Sequence, residues 1–197
     1  MAGRDYSPSM TPSEHVIPSE IETDRFVLRR LCSADAPELL GLFSDPRVME
    51  FLDFDDLASL EEAGEIVGWA DRLHEGGRGV RWSIRQRDTG EFLGTCGFNT
   101  VQWKRGARAE VAYDLLPSHW GQGVMKEVLR RVLEVGFHDL GMRRIEARVT
   151  PGNERSAGLL SSLGFTEEGR LRQVGFWRGR YWDLLVFSLL DEELGSD

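Results

Sequence analysis

Between Ala109 and Phe137 the apolar pattern changes its period across a short turn that holds two glycines. Ala109-Glu110-Val111-Ala112-Tyr113-Asp114-Leu115 reads as a strand, with Glu110, Ala112 and Asp114 on one face and Val111, Tyr113 and Leu115 on the other. Beyond Pro117 the spacing becomes helical. Val124, Val128, Leu129, Val132, Leu133 and Phe137 form one stripe, and Lys126, Glu127, Arg130, Arg131 and Glu134 take the other side. The connection, Trp120-Gly121-Gln122-Gly123, lets the backbone approach a ligand closely, and the first N–H groups of the helix lack internal partners. With the helix dipole, that makes an anion site suited to a diphosphate; it is equally a tight strand-to-helix connection. Two other phosphate motifs are excluded. No Gly-x4-Gly-Lys-Ser/Thr string occurs, and the dinucleotide fingerprint needs a third glycine where Lys126 stands.

The rest of the chain supplies the frame. Residues 1–20 carry Pro8, Pro12 and Pro18 among Ser, Thr and Glu and predict a flexible arm ahead of a domain over 21–192. Phe26 to Leu31 reads as a strand. Ser33 or Asp35 can cap a helix through Leu39, Leu40, Leu42 and Phe43, which Asp45-Pro46 interrupts. A second helix starts near Ser59, buries Ile66, Val67, Trp69, Ala70 and Leu73, and ends at Gly76-Gly77. Strands follow around Trp82-Ser83-Ile84 and from Phe92 to Phe98, joined by Asp88-Thr89-Gly90; Gly94 and Gly97 predict weakness or a bulge in the second. Past the loop Trp103 to Gly106 and the central strand and helix, Ile145, Ala147 and Val149 alternate as another strand. A helix from Glu154 to Leu163 stops at Gly164, and two strands, Phe165–Trp177 and Tyr181–Leu190, are joined by Arg178-Gly179-Arg180. The order β-α-α-β-β-β-α-β-α-β-β predicts one α/β (α+β) domain with a mixed, twisted sheet of about seven strands and flanking helices.

Composition narrows the function. At 197 residues, 41% apolar and 29% charged, the chain suits one globular domain. A formal charge of −9 argues against a nucleic-acid backbone as partner. No apolar run approaches the roughly 20 residues that span a bilayer, and Met1 to Tyr6 lack a secretory h-region. Cys32 and Cys96 are far apart and in no metal-ligand spacing, which points to reduced thiols, no metal and a cytoplasmic setting. His15, His74, His119 and His138 form no ligand cluster; only His119 adjoins the glycine turn.

A series of strings then gives a resemblance. Glu22-Thr23-Asp24-Arg25-Phe26-Val27-Leu28-Arg29 is followed by Ser44-Asp45-Pro46-Arg47-Val48-Met49, then Thr89-Gly90-Glu91-Phe92-Leu93-Gly94. Glu110-Val111-Ala112-Tyr113, Trp120-Gly121-Gln122-Gly123, Arg144-Ile145-Glu146-Ala147 and Asn153-Glu154-Arg155-Ser156 continue it, and Leu163-Gly164-Phe165 with Glu168-Gly169 closes it. In order and spacing the chain resembles the GNAT superfamily over roughly residues 21 to 190, and within it the RimJ/RimL-type N-acetyltransferases that modify protein N-termini.

The resemblance implies a V-shaped splay between the fourth and fifth expected strands, here Ala109–Leu115 and Arg144–Val149. Main-chain groups of Tyr113, Asp114, Leu115 and Leu116 would pair with the pantetheine arm of acetyl-CoA like an added strand. The amides of Gly121, Gln122, Gly123, Val124 and Met125 would hold its diphosphate, with Trp120 in the turn's first place. Met125 is bulkier than the family's usual residue there, and would either crowd the phosphates or turn into the core. Glu110 is the candidate general base, through a water, since the attacking amine must be neutral. Its alternative is a structural carboxylate paired with Arg108 or Arg144. Glu110 and Asp114 would lie roughly 13 Å apart at about 3.3 Å per residue, so they are no dyad. In the family, a serine matching Ser156 is proposed to protonate the departing thiolate, and an asparagine matching Asn153 orients the cofactor arm. Ser156 could equally be an ordinary first-turn residue, and Asn153 an N-cap, a role compatible with the other. A glutamate catalytic in one branch aligns near Gly175, which leaves the base open.

The acceptor side is less determined. Phe51 to Asp56 would form one wall, its carboxylates facing a cation or simply solvent, and Trp103, Trp177, Tyr181 and Trp182 could line the other or pack. The expected activity is acetyl transfer to a primary amine, most simply a protein N-terminal α-amine, by direct attack in a ternary complex. A small amine (polyamine, amino acid or aminoglycoside) and a catalytically silent CoA-binding module are the alternatives. Homodimerisation is expected from the relatives alone.

Overall fold

The computed structural model describes residues 16–104 and 106–195; the rest of the expected arm, residues 1–15, and Arg105 of the expected loop lie outside the described residues. In chain order the elements are β1 (Glu20–Glu22), β2 (Phe26–Arg30), α1 (Ala36–Phe43), α2 (Pro46–Met49), α3 (Leu60–Glu75), β3 (Val80–Gln86), β4 (Phe92–Gln102) and β5 (Arg108–Leu115). They continue with α4 (Val124–Glu134), β6 (Arg144–Val149), α5 (Glu154–Ser161), β7 (Thr166–Trp177) and β8 (Arg180–Leu190). The eight strands form one sheet in the order β1-β2-β3-β4-β5-β6-β8-β7. Every neighbouring pair is antiparallel except β5 and β6, which run parallel.

The eighth strand, beyond the seven expected, is β1. Its three residues pair with β2 from Glu20↔Arg29 to Glu22↔Val27, and only Ile21 is buried, too little for alternation to register. Just before it, Ile17 is buried, the Pro18 carbonyl accepts from Trp82 Nε1 at 3.1 Å, and the Ser19 carbonyl accepts from the Arg30 N–H. This part of the expected arm lies along the sheet.

Two apolar layers cover the sheet. One holds the inner face of α4 (Val124, Met125, Val128, Leu129, Val132 and Leu133) against Trp82, Phe98, Val111 and Ile145. Each fully buried side chain of that size contributes about 1.5–3 kcal/mol. The other packs α1, α2 and α3 through Leu39, Leu42, Phe43, Met49, Ala63, Val67 and Ala70 against Leu31 and Phe92.

Three local expectations change. Trp69 is 38% exposed and sits at the edge of the α3 stripe. The Asp35 side chain does not cap α1; wholly buried, it closes the turn before it by accepting from the Cys32 N–H and pairs with Arg29 and Arg85, each at 2.6 Å. Gly97 stays in register on both sides, while β4 shifts register beside Gly94 against β3, where Leu93 is skipped, and at Phe98/Thr100 against β5. The two glycines serve close approach, because a Cβ would strike the Asp114 carbonyl at Gly94 and the Val80 carbonyl at Gly97.

Candidate active site

The parallel register of β5 and β6 runs through Arg108↔Arg144, Ala109↔Ile145 and Glu110↔Glu146 and stops there. Past Glu110, β5 continues beside β4 as far as Leu115, while β6 continues beside β8 as far as Val149. The implied splay is therefore present. The Leu116 N–H donates to the Leu93 carbonyl at 2.8 Å, so alternation turns the main-chain groups of Tyr113 and Leu115 toward the gap. This corrects the expectation for Asp114 and in part for its neighbours: the Asp114 main-chain groups face β4 by the same alternation, the Leu116 N–H is bound to β4, and the Leu115 carbonyl accepts from Trp120 Nε1 at 2.8 Å. Tyr113 keeps both main-chain groups on the open edge, and Leu115 its N–H.

A cavity of about 740 Å³ opens at the splay. Tyr113, Asp114 and Leu115 form its strand wall, Trp120, Gly121 and Gly123 to Lys126 its turn, and Asn153, Arg155 and Ser156 the opposite side; Gln122, expected in the turn's grip, does not line it. Arg47, Val48, Phe51 and Leu52 close it from α2 and the loop beyond. Gly121 and Gly123 both have φ of 73°, a left-handed conformation that costs other residues about 1–2 kcal/mol. Gly123 is the N-cap of α4 and offers no side chain, so the first amides of a three-turn amphipathic helix face the cavity uncovered. Met125 turns into the core and is 6% exposed, so its bulk is spent inward. The turn is held from outside by Arg25, whose guanidinium donates to the Gln122 carbonyl at 3.4 Å and pairs with Glu127 at 2.7 Å. The Arg155 guanidinium lies 4.5 Å from the centre of the Trp120 ring, and Lys126 also lines the cavity.

Asn153 caps α5 as well as lining the cavity: its Oδ1 accepts from the Ser156 N–H at 3.1 Å. Ser156 thereby faces β5, where its Oγ lies 2.7 Å from the Tyr113 hydroxyl. Burial pushes the Tyr113 phenol well above its ordinary range.

Glu110 stands apart from this group. It occupies the last paired position of the parallel register and does not line the cavity. Burial pushes its carboxyl up; Arg148 pulls it down, and Glu146 and Asp53 push it up further. Its ion-pair partner is Arg148, at 3.3 Å, while Arg144 is engaged by Glu146 and Glu168. Asp114 points to the other layer, paired with Arg81 at 2.6 Å and accepting from Thr95 at 3.0 Å. Burial pushes its carboxyl up against the pull of Arg81 and Thr95. Its side chain is structural.

The aromatics expected as a second wall do not line the cavity. Trp177 and Trp182 stack at 5.2 Å, Tyr181 packs edge-on to Phe176, and the Trp103 indole donates to the Leu140 carbonyl. The β7–β8 turn still reaches the wall, through Arg178, which donates to the Met49 carbonyl at 2.7 Å and pairs with Asp56. Sequence reading missed Arg25, Arg178 and the Tyr113 hydroxyl as parts of the site. Only the Thr23-Asp24-Arg25 string hinted at the first.

Among the described residues no group of His, Cys, Asp and Glu could hold a metal ion. No helix among them is long and apolar enough to cross a membrane. An acyl-CoA needs an edge for the amides of its arm and donors for its diphosphate. The open edge at Tyr113 and Leu115 supplies the first, and the uncovered amides from Gly121 to Met125, with Lys126 and Arg155, supply the second. The site fits that ligand.

Comparison with known proteins agrees with this geometry. Residues 25–166 match a family model described as an acetyltransferase (GNAT) domain. The chain is 38% identical to the uncharacterized N-acetyltransferase YoaA of Bacillus subtilis, over 86% of this chain and 96% of that one. It is 26% identical to the [ribosomal protein uS5]-alanine N-acetyltransferase of Escherichia coli, over 86% and 89% respectively. The structure of Mycobacterium smegmatis RimJ in complex with CoA-disulfide superposes with a TM-score of 0.79 at 23% identity, covering 87% of this chain and 85% of that one, and shares the fold.

Proposed function

We propose that this chain, which belongs to the GNAT acetyltransferase family and so takes acetyl-CoA as its acetyl donor, acetylates the α-amine of a protein N-terminus by direct attack in a ternary complex. The carrying observation is the break in the parallel register after Glu110, which leaves the Tyr113 edge open beside Ser156. Acetyl-CoA bound there supplies an activated thioester. Tyr113 and Leu115 orient its arm, and the amides from Gly121 to Met125 neutralise its diphosphate.

Glu110 takes the amine's proton through a water as the C–N bond forms, and its raised pKa makes it a stronger base than an ordinary carboxylate. Ser156 serves the sulfur as the C–S bond breaks with its electron pair on sulfur. Direct attack is supported by where the thiols lie. Cys96 is enclosed, its thiol pushed up to about 12 by burial, and Cys32 is exposed beside Arg29, away from the cavity. Two free thiols also suit a reducing cytoplasm.

An α-amine, with a pKa of about 7.7–8.0, is far more often neutral at pH 7 than a lysine at about 10.4, so one mild carboxylate base suffices for it. The similarity to an alanine N-acetyltransferase favours the same acceptor. A polyamine is the second reading, favoured by the mutual influence of Asp53, Glu146 and Glu110 beside the gap. Mass spectrometry of cell proteins with and without the enzyme tests the first reading. New acetylated N-termini are the expected result; turnover of polyamines with unmodified N-termini would transfer the activity to the second.

A further inference from the structure

The Tyr113–Ser156 pair contains two hydroxyl groups joined at 2.7 Å, and both residues line the cavity. One hydrogen bond between two hydroxyls uses one hydrogen and leaves the other free. The Ser156 main chain is fixed independently, because its N–H donates to the Asn153 cap. A phenol is the more acidic hydroxyl, so it is the donor within the pair, and the serine hydrogen is the one left for the cavity. We infer that Tyr113 is a positioning residue: its hydroxyl donates to Ser156 Oγ and thereby turns the serine hydrogen toward the sulfur of the bound cofactor.

Proton affinities define what that hydrogen does. A free thiol titrates near 8.5 and a free phenol near 10, and an alcohol is a weaker acid than either. Burial moves Tyr113 further from giving up its proton. Neither hydroxyl can therefore end as the source of the thiol proton. The pair acts as a fixed hydrogen-bond donor to the sulfur anion, which then takes its proton from water. In this inference Ser156 stabilises the thiolate in place of protonating it, and the inference rests on the acetyl-transfer reading of the same site.

Coenzyme A itself is the probe, and no acceptor is needed. Its bound thiol is titrated by the ultraviolet absorbance of the thiolate in the wild-type protein, Tyr113→Phe, Ser156→Ala and the double variant. A hydrogen bond to the charged form favours that form, so the bound wild-type thiol should titrate below the free thiol. Either single substitution should cut the thiolate fraction at fixed pH about tenfold, and the double variant should fall no further than Ser156→Ala. Calorimetric affinity for CoA at low pH, where the thiol is neutral, should stay within about twofold in every variant, which separates this role from a structural one. A bound thiol that titrates as it does in water overturns the inference. So does a Tyr113→Phe protein with the wild-type thiolate fraction, or a double variant whose loss is the product of the two singles. A protein that gives the expected pattern yet acetylates no amine keeps the inference and removes the transfer reading.

Discussion

Arg25 Nε lies 2.7 Å from Glu127 Oε2, joining the turn between β1 and β2 to the first turn of α4 across 102 residues of chain. The same guanidinium donates to the Gln122 carbonyl, and the Arg25 N–H to Glu127 Oε1 at 3.1 Å. The glycine turn is thus fixed from the side opposite the cavity. The pair is too exposed to matter much for global stability, where such contacts contribute about 0–1 kcal/mol. Arg25→Ala should leave the melting temperature nearly unchanged while weakening CoA about three- to tenfold by calorimetry. Arg25→Lys should recover little, since one ammonium cannot replace a fork that bonds both groups.

Gly121 and Gly123 separate strain from crowding. A Cβ at Gly121 would meet nothing within 4 Å, and at Gly123 only Arg25 Nη2 at 3.8 Å, so alanine at either fits sterically within the protein. Both sit at φ of 73°, and alanine should cost about 1–2 kcal/mol at each in chemical denaturation. Loss of CoA affinity should exceed that stability loss at Gly123, whose Cα adjoins the helix amides. Equal losses in denaturation and calorimetry would mean that the turn does not grip a ligand.

The raised pKa of Glu110 gives activity and stability opposite dependences. A base must be deprotonated, so kcat/KM should fall as pH drops through that pKa, and Glu110→Gln should remove this limb with a loss of about 10²–10⁴-fold. For the fold the sign reverses. A carboxyl whose folded pKa is raised favours folding while protonated, and that contribution is lost as pH rises through the folded value. At neutral pH the neutral glutamine should therefore be tolerated, its melting temperature held near wild type despite the broken pair with Arg148.

Arg81 and Asp114 form a buried pair, with Arg81 also donating to the Ala112 carbonyl at 3.0 Å. Removing one partner leaves the other charge enclosed, and Asp114→Asn should cost about 3–5 kcal/mol in denaturation. Arg81→Met with Asp114→Leu should cost much less than the sum of the two single changes.

Arg178 ties the β7–β8 turn to the Met49 carbonyl and to Asp56, next to the cavity residues Phe51 and Leu52. Arg178→Ala should raise KM for the amine several-fold and leave KM for acetyl-CoA unchanged, in a thiol-release assay.

What the sequence made legible was local. The α4 stripe, the glycine turn and the Asn153 cap are each set by neighbours within a few positions, so period and spacing reveal them. Arg25 and Arg178 act through partners far along the chain, as Asp35 does through Arg85, and no local pattern distinguishes them from surface charges. Glu110 illustrates the same limit: Arg108 and Arg144 were the natural partners by proximity, but the pair forms with Arg148, two positions past its register partner Glu146. A tyrosine on a strand reads as core, and only the arrival of α5 gives the Tyr113 hydroxyl a partner. Gly94 and Gly97 could be read as a defect or as a fit; the crowding carbonyls of β5 and β3 decide for a fit.

The short parallel seam at Arg108–Glu110 has a mechanical consequence. It joins two half-sheets, β1 to β5 and β6 to β8, and ahead of it they are separated like the limbs of a clothes-peg. A strand-like guest wedged between them acts as a keystone, so the protein's resistance to unfolding tracks the supply of its cofactor and rises by about 2.7 kcal/mol at a hundred times Kd. Amide exchange at Tyr113 and Leu115 would register that occupancy directly, fast in the empty protein and slow in the loaded one.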